Sequence, residues 1–169
     1  MPPLSVTRRS LLVGGSDAAF RALISNLIAM AGQLAALRSH LAARLGVTGP
    51  QFGLVLAVAQ LEGAHGVNVG AVARHQGVTG AFVTAEAGKL ARRGFIVKRG
   101  SPADGRGVLL SLSAKGWRAL TAAGPEIQAV NDAMFGSLSV REFRSLDRIV
   151  RRLTAGGERA LAKRRARRH

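Results

Sequence analysis

Residue types that could carry out catalysis are scarce in this sequence of 169 residues. It contains no cysteine, four histidines and nine Asp and Glu residues. Without cysteine there is no thiolate metal ligand, no thiol nucleophile and no disulfide framework. No nucleophile, base and orienting group form a recognisable set, and no glycine-rich phosphate loop follows a predicted strand. His65 and His75 have few carboxylates near them, so we predict no metal site, no cofactor and no enzyme.

Basic residues are abundant, and their excess points to a polyanionic partner. Lys and Arg number 25 against nine acidic residues, which gives a formal net charge of +16. Because 47% of the residues are hydrophobic, the chain is predicted to fold and is not a disordered basic tail protein. A charge of this size favours nucleic acid or another anionic surface as the partner.

The elements that must position these charges begin with a long amphipathic helix, predicted over 17–45. Its apolar residues follow a heptad spacing at Phe20, Leu23, Leu27, Met30, Leu34, Leu37 and Leu41. Such a stripe packs either into the chain's own core or against another subunit, and the pattern leaves both open. Ser16 is the expected N-cap, and residues 1–15 are expected to form a flexible arm.

Residues 7–13, TRRSLLV, are similar to a twin-arginine export motif. Asp17 and Arg21 interrupt the apolar run that an export signal needs, and no later window offers the roughly 18 consecutive apolar residues of a membrane span. We therefore expect a cytoplasmic protein without a membrane partner.

The central segment is patterned as a helix-turn-helix over about 69–94. Gly77 marks the turn, and Thr79 is placed to cap a second helix. On that helix Val83, Ala87 and Leu90 share the inner side. Two β-prone segments follow over about 95–112, separated by KRGSPADGRG, which is rich in Gly, Pro and Asp. A helix-turn-helix followed by a basic-tipped hairpin predicts a winged helix.

The closing helices are predicted over 114–156. Ser113 begins them, Pro125 is expected to kink or restart the helix, and Ser139 with Glu142 forms a capping box. The last helix is expected to end near Gly156. Residues 157–169 are strongly basic and are expected to be a disordered tail that aids non-specific DNA attraction, or a solvated surface.

Several of these motifs together resemble the MarR family of bacterial transcriptional regulators. They are the helix-turn-helix, LARRGFIVKR (90–99), the D-x-R pair Asp104 and Arg106, and VLLSLSAKG (108–116), in a similarity extending over roughly 17–156. The resemblance implies a dimeric winged helix whose terminal helices form the dimer interface and whose wing enters the minor groove. The sequence departs from the family at Ser113, where threonine is usual, and at Gly80, where arginine is common. It also departs at Gly88, inside the second helix of the helix-turn-helix, which is called the recognition helix.

The outer face of the recognition helix is almost bare of large side chains. Small residues let a helix backbone lie deep in a major groove, although a weakly selective alanine-rich helix would look the same. In the wing, Asp104 can orient Arg106 for a narrow minor groove, although an isolated exposed ion pair contributes little. The predicted DNA contacts are Arg74, Thr79, Gly80, Ala81, Thr84, Ala85, Gly88, Lys89, Arg92, Lys98, Arg99, Asp104 and Arg106.

By the same resemblance, a small aromatic or carboxylate effector is expected between the dimer helices and the DNA-binding part. Its predicted lining is His40, Phe52 and Trp117. The alternative is that His40 and Trp117 are ordinary, partly buried residues.

The sequence therefore predicts a mainly α fold with a small β-hairpin wing, in which residues 16–156 form a winged helix-turn-helix domain flanked by dimerisation helices. The predicted function is a sequence-specific double-stranded DNA-binding regulator, a repressor that binds a pseudo-palindromic operator as a homodimer. The alternative is a basic nucleic-acid-binding or architectural protein without sequence specificity.

Overall fold

A computed structural model of the protein describes residues 3–100 and 107–167. Over these residues the order of elements is α1 (Ala18–Arg44), α2 (Gly49–Leu61), β1 (Val67–Asn68), α3 (Val69–Gln76), α4 (Gly80–Arg92), β2 (Ile96–Gly100), β3 (Val108–Leu112), α5 (Ala114–Phe135) and α6 (Val140–Ala166). The predicted mainly α fold with a β-hairpin is confirmed. The chain divides into two compact units, 1–126 and 127–169.

The strands form one antiparallel sheet in the order β1-β3-β2. Ile96 lies opposite Leu112 and Gly100 opposite Val108 in the hairpin, as predicted for the wing. The pairing of Val67 with Leu110 adds a third strand that the sequence did not predict. A strand of two residues carries no periodicity of its own, so only its partner reveals it.

The core of the first unit lies between α2, the helix-turn-helix and the sheet. Phe52 and Leu54 of α2 are almost completely buried, as are Val72 of α3, Leu90 of α4 and Leu110 of β3. Since α2 is buried along most of its length, it is the central support on which α3 and α4 pack.

Polar side chains fix where these helices begin. Thr48 and Gln51 form a capping box at the start of α2, with Pro50 in the first turn. Asn68 Oδ1 accepts a hydrogen bond from Ala71 N at 2.8 Å and caps α3. Gly77 ends α3 with φ +65°, a left-handed conformation that favours glycine. These bonds set the turn between the two helices.

The N-terminal arm differs from its prediction as a flexible segment. A short 3₁₀ turn spans Arg9–Leu11, and Ser5 donates from its backbone N (2.7 Å) and its Oγ (2.6 Å) to the carboxylate of Asp17. Asp17 stands at the N-cap position instead of Ser16, and α1 begins at Ala18. A buried carboxylate with several donors holds the arm against the start of α1.

The C-terminal half also departs from two predictions. α5 continues through Pro125, because proline removes only one hydrogen bond of a long helix. α6 does not end near Gly156 but runs to Ala166, so most of the predicted disordered tail is helical. Ala160, Leu161 and Ala162 favour helix and outweigh the two glycines before them. The capping box of Ser139 and Glu142 is present, with Glu142 N donating to Ser139 Oγ at 3.3 Å.

α1 is long and apolar enough, by length and composition, to cross a membrane, and its apolar stretch is not buried within the chain. Its first turn carries the ion pair of Arg21 and Asp17 at 2.9 Å, in agreement with the interruption noted in the sequence. The absence of a membrane partner stays a prediction.

Candidate nucleic-acid interface

α4 has one buried side and one exposed side, as its periodicity predicts. Val83, Ala87 and Leu90 are completely buried. The opposite side exposes Ala81, Thr84, Ala85, Lys89 and Arg92, with Gly80 and Gly88 partly exposed. The exposed side is therefore a shallow surface of small side chains with two cations near its C-terminal end.

The N-terminus of α4 is capped and open to solvent. Thr79 Oγ1 accepts a hydrogen bond from Phe82 N at 3.2 Å, which confirms the predicted cap. The remaining first-turn N–H groups make this end suitable for an anion. Thr84 Oγ1 donates to Gly80 O at 2.9 Å, so toward an outside group this hydroxyl is left to act as an acceptor.

The one carboxylate of α4 is neutralised from within the protein. Glu86 accepts a hydrogen bond from Lys89 Nζ at 2.6 Å and one from Gln51 Nε2 at 2.9 Å. These bonds, that of Lys89 first, lower the pKa of Glu86 and keep it ionised. The bond from Gln51 of α2 joins distant parts of the chain and could not be read from the sequence.

Among the residues that the structure describes, Gly88 has no packing partner that would require glycine. A Cβ added there would find only the Arg92 guanidinium, at 3.8 Å, which is ordinary contact. The internal packing of the protein therefore does not explain why a helix interior carries glycine on its exposed side.

The other predicted contacts fall on neighbouring elements. Arg74 of α3 and both Lys98 and Arg99 of β2 are exposed. Asp104 and Arg106 lie outside the described residues, so the structure gives no geometry for the wing tip.

The base of the wing is held by residues with structural partners. Lys115 donates to Arg93 O at 2.8 Å and lies 4.9 Å from the centroid of the Phe95 ring. Arg93 donates to Gly46 O at 2.6 Å. Leu112 N donates to the buried Glu62 carboxylate at 2.6 Å. These bonds fix β2 and β3 against the helices, and Glu62, a lone acid after an apolar run, gave no sequence signal.

Comparison with known proteins shows which family this arrangement is similar to. Residues 45–107, which include α2, the helix-turn-helix and β2, match the model of the MarR family. Over this segment the chain is similar to the MarR family. No curated protein matches the sequence.

Solved structures of MarR-family proteins share the fold over most of the chain. Sco3205 from Streptomyces coelicolor, in complex with DNA, is 22% identical with a TM-score of 0.73, covering 82% of this chain and 91% of that one. A mutant of MarR from E. coli complexed with operator DNA is 19% identical with a TM-score of 0.63, covering 77% and 92%. CouR from Rhodococcus jostii RHA1, bound to p-coumaroyl-CoA, is 18% identical with a TM-score of 0.67, covering 77% and 90%.

In this chain, a cleft of about 560 Å³ opens beside the helix-turn-helix. It is lined by Ala35, Arg38, Ser39, Gly49, Pro50, Gly53, Leu56, Ala57, Gln60, His75, Gln76, Val78 and Phe82. None of the predicted effector residues lines it. His40 Nε2 lies 2.9 Å from Glu126 Oε1, Phe52 is buried in the core, and Trp117 is 44% exposed.

Proposed function

We propose that this MarR-family protein is a sequence-specific double-stranded DNA-binding transcriptional regulator that acts as a repressor in the cytoplasm, with no catalytic role. The observation that carries the proposal is the exposed side of α4, where Ala81, Thr84 and Ala85 form a bare surface behind a capped N-terminus. Such a helix can enter a major groove, where methyl groups meet thymine methyls and a hydroxyl meets a base edge.

The groups around α4 suit the backbone of the duplex. Arg74, Lys98 and Arg99 are exposed cations on the adjoining elements, and cations that contact phosphates position a protein without reading sequence. Glu86, which would repel phosphate, is neutralised by Lys89. The predicted contacts at Asp104 and Arg106 complete the proposed wing.

The proposed operator complex is a homodimer. Along α1, Leu23, Ile24 and Ile28 are 50%, 40% and 69% exposed. A contiguous apolar surface of this kind favours association, and a second copy offers the matching surface. Two-fold symmetry then requires a pseudo-palindromic operator with half-sites about 10 base pairs, or a multiple, apart.

The cleft beside the helix-turn-helix is the proposed effector site, in place of one lined by His40, Phe52 and Trp117. Arg38 and His75 supply cationic or polar groups, while Leu56, Val78 and Phe82 supply apolar ones. This mixture suits a small aromatic carboxylate. Because Phe82 belongs to α4, a ligand that binds better when α4 is displaced would weaken DNA binding.

Selection of bound fragments from random double-stranded DNA tests the proposal. We expect a pseudo-palindromic consensus, bound more tightly than a scrambled duplex at every salt concentration. Ala85→Glu, which sets a carboxylate on the exposed side of α4, should lower operator affinity by about 10-fold or more through repulsion from phosphate.

The matched control is Ala122→Glu, which makes the same change at an exposed position of α5. It should leave operator affinity within about twofold of the parent, since surface changes of this kind alter little. Equal affinity for all duplexes, unaffected by Ala85→Glu, would refute the regulator and favour the non-specific nucleic-acid-binding alternative.

A further inference from the structure

α6 arranges its basic residues with helical spacing. Six of them follow one another at intervals of three, four or seven residues, namely Arg141, Arg144, Arg148, Arg152, Arg159 and Lys163. With 3.6 residues per turn these intervals return to the same side of a helix. The six define what we call the arginine stripe, which extends about 33 Å at 1.5 Å per residue.

The stripe is free to meet a partner. All six side chains belong to exposed residues. Arg141, Arg144 and Arg148 line one surface groove, and Arg152 and Arg159 line another. Asp147 pairs instead with Arg151, at 2.9 Å, and Glu142 is engaged with Ser139 in the capping box. Within the described part of the chain, none of the six forms an ion pair.

The apolar residues of α6 lie on the other side of the helix. Phe143, Val150, Leu153 and Leu161 are between 42% and 61% exposed. At about 100° per residue, their mean direction is more than about 120° from that of the stripe. The helix therefore presents a cationic surface and an apolar surface, which meet where Ile149 and Leu153 line the groove of Arg152 and Arg159.

We propose that the arginine stripe is a second binding surface for duplex DNA, separate from the exposed side of α4. A straight row of six cations can neutralise successive phosphates without reading bases, which gives affinity for any duplex. The stripe begins at Arg141, near the start of α6, so the surface is a folded helix and not only the basic end of the chain.

We take a duplex as the occupant of the stripe, because the exposed side of α4 already suits a duplex and a straight row of cations can follow the phosphates along it. An interfacial membrane helix also carries Lys and Arg opposite its apolar side, so binding to anionic vesicles is one outcome of the test.

The test compares two triple variants of the full chain that lose the same charge. Arg148→Gln, Arg152→Gln and Arg159→Gln neutralise the centre of the stripe, and Arg8→Gln, Arg9→Gln and Arg118→Gln remove three exposed arginines elsewhere. Affinity for a random 30-base-pair duplex is measured by fluorescence anisotropy over a salt series, with circular dichroism as the folding check. If the three contacts are lost, the slope of log K against log salt should decrease in magnitude by about 2.7 for the stripe variant.

The control variant should keep a slope close to that of the parent. Equal slopes for the two variants would overturn the proposal, because net charge alone would then explain the attraction. A stripe variant with unchanged affinity for the DNA duplex but lost binding to phosphatidylserine vesicles, or to duplex RNA alone, would also overturn it.

The inference rests on the proposed function only in taking DNA as the polyanion, and the two can fail separately. In the Ala85→Glu variant, operator preference should disappear while stripe-dependent binding to the random duplex remains. Loss of random-duplex binding in this variant would show that α4 is the main duplex surface and would refute a second one. A stripe variant that keeps operator preference with a reduced slope supports both proposals.

Discussion

Gly88 is the residue whose type is hardest to explain from the protein alone. Glycine in a helix interior costs roughly 0.5–1 kcal/mol relative to alanine. The neighbouring atoms leave room for a methyl group, since the nearest is Arg92 Nη1 at 3.8 Å. The cost is understandable if the backbone of α4 must approach another molecule closely, as a base pair in a major groove would require.

Gly88→Ala should therefore change stability and binding in opposite directions. We expect the free energy of unfolding to rise by about 0.5–1 kcal/mol in urea titrations, while operator affinity falls. The control is Gly157→Ala in α6, where no atom of the described residues outside the helix backbone lies within 4 Å of an added Cβ. That variant should become more stable with no loss of operator affinity. Unchanged operator affinity in Gly88→Ala would mean that glycine has no role in DNA approach.

At this scale the sequence predicts which side chains are exposed but not which distant groups they meet. The spacing of Val83, Ala87 and Leu90 determines the two sides of α4, and their burial confirms it. The bond between Gln51 and Glu86 joins residues 35 positions apart, and only packing brings them together. In the same way, Lys115 looks like a free cation in the sequence and is bound to the carbonyl of Arg93 in the fold.

The start of α1 depends on the ionisation of Asp17. Its carboxylate accepts hydrogen bonds from Arg21 Nε at 2.9 Å and from both Ser5 donors. These bonds, that of Arg21 first, hold the pKa of Asp17 well below its usual range. A carboxyl group whose pKa is lowered by folding stabilises the fold above its unfolded pKa, and this contribution disappears as the pH falls.

Asp17→Asn should therefore lower the melting temperature at pH 7. The difference from the parent should shrink as the pH falls below the unfolded pKa of about 3.9, because the unfolded parent chain then binds a proton at Asp17 that the folded chain does not. Asp132→Asn, at an exposed position of α5, removes an equal charge and is the control. A difference between Asp17→Asn and the parent that is constant from pH 7 to pH 3 would contradict this role of the carboxylate.

The ends of the elements were harder to predict than their existence. Thr79 and Ser139 gave correct starts for α4 and α6, because a cap is a local signal. Pro125 and the glycines at 156 and 157 suggested breaks, but α5 and α6 continue through these residues. The arm was predicted as flexible because its bonds to Asp17 span 12 residues and leave no periodic pattern.

For the whole molecule, the exposed apolar surface of α1 supports the proposal that its heptad spacing serves association with another subunit. Phe20, Leu27 and Leu34 are only partly covered and Leu23 is half exposed, whereas Leu41 is buried. Only the C-terminal end of this apolar face of α1 thus packs into the chain's own core, and the rest is available to a second copy.

Leu23→Glu should weaken the proposed homodimer. A carboxylate buried in an apolar interface loses its hydration, so we expect the dimer dissociation constant to rise by about 100-fold or more. Sedimentation equilibrium over a concentration series gives this constant. Ala36→Glu adds the same charge at an exposed position on another side of α1 and should leave the dimer intact. Monomeric parent protein at all concentrations would rule out the dimer.

The side chain of Gln51 makes bonds at both of its ends. Its Oε1 accepts from Thr48 N at 3.2 Å, and its Nε2 donates to Glu86 Oε2 at 2.9 Å. Fraying of the first turn of α2 therefore breaks a bond to α4 at the same time, and displacement of α4 weakens the cap of α2. The two helices should then lose protection from hydrogen exchange as one cooperative unit, so that α4 opens only as often as the start of α2 allows.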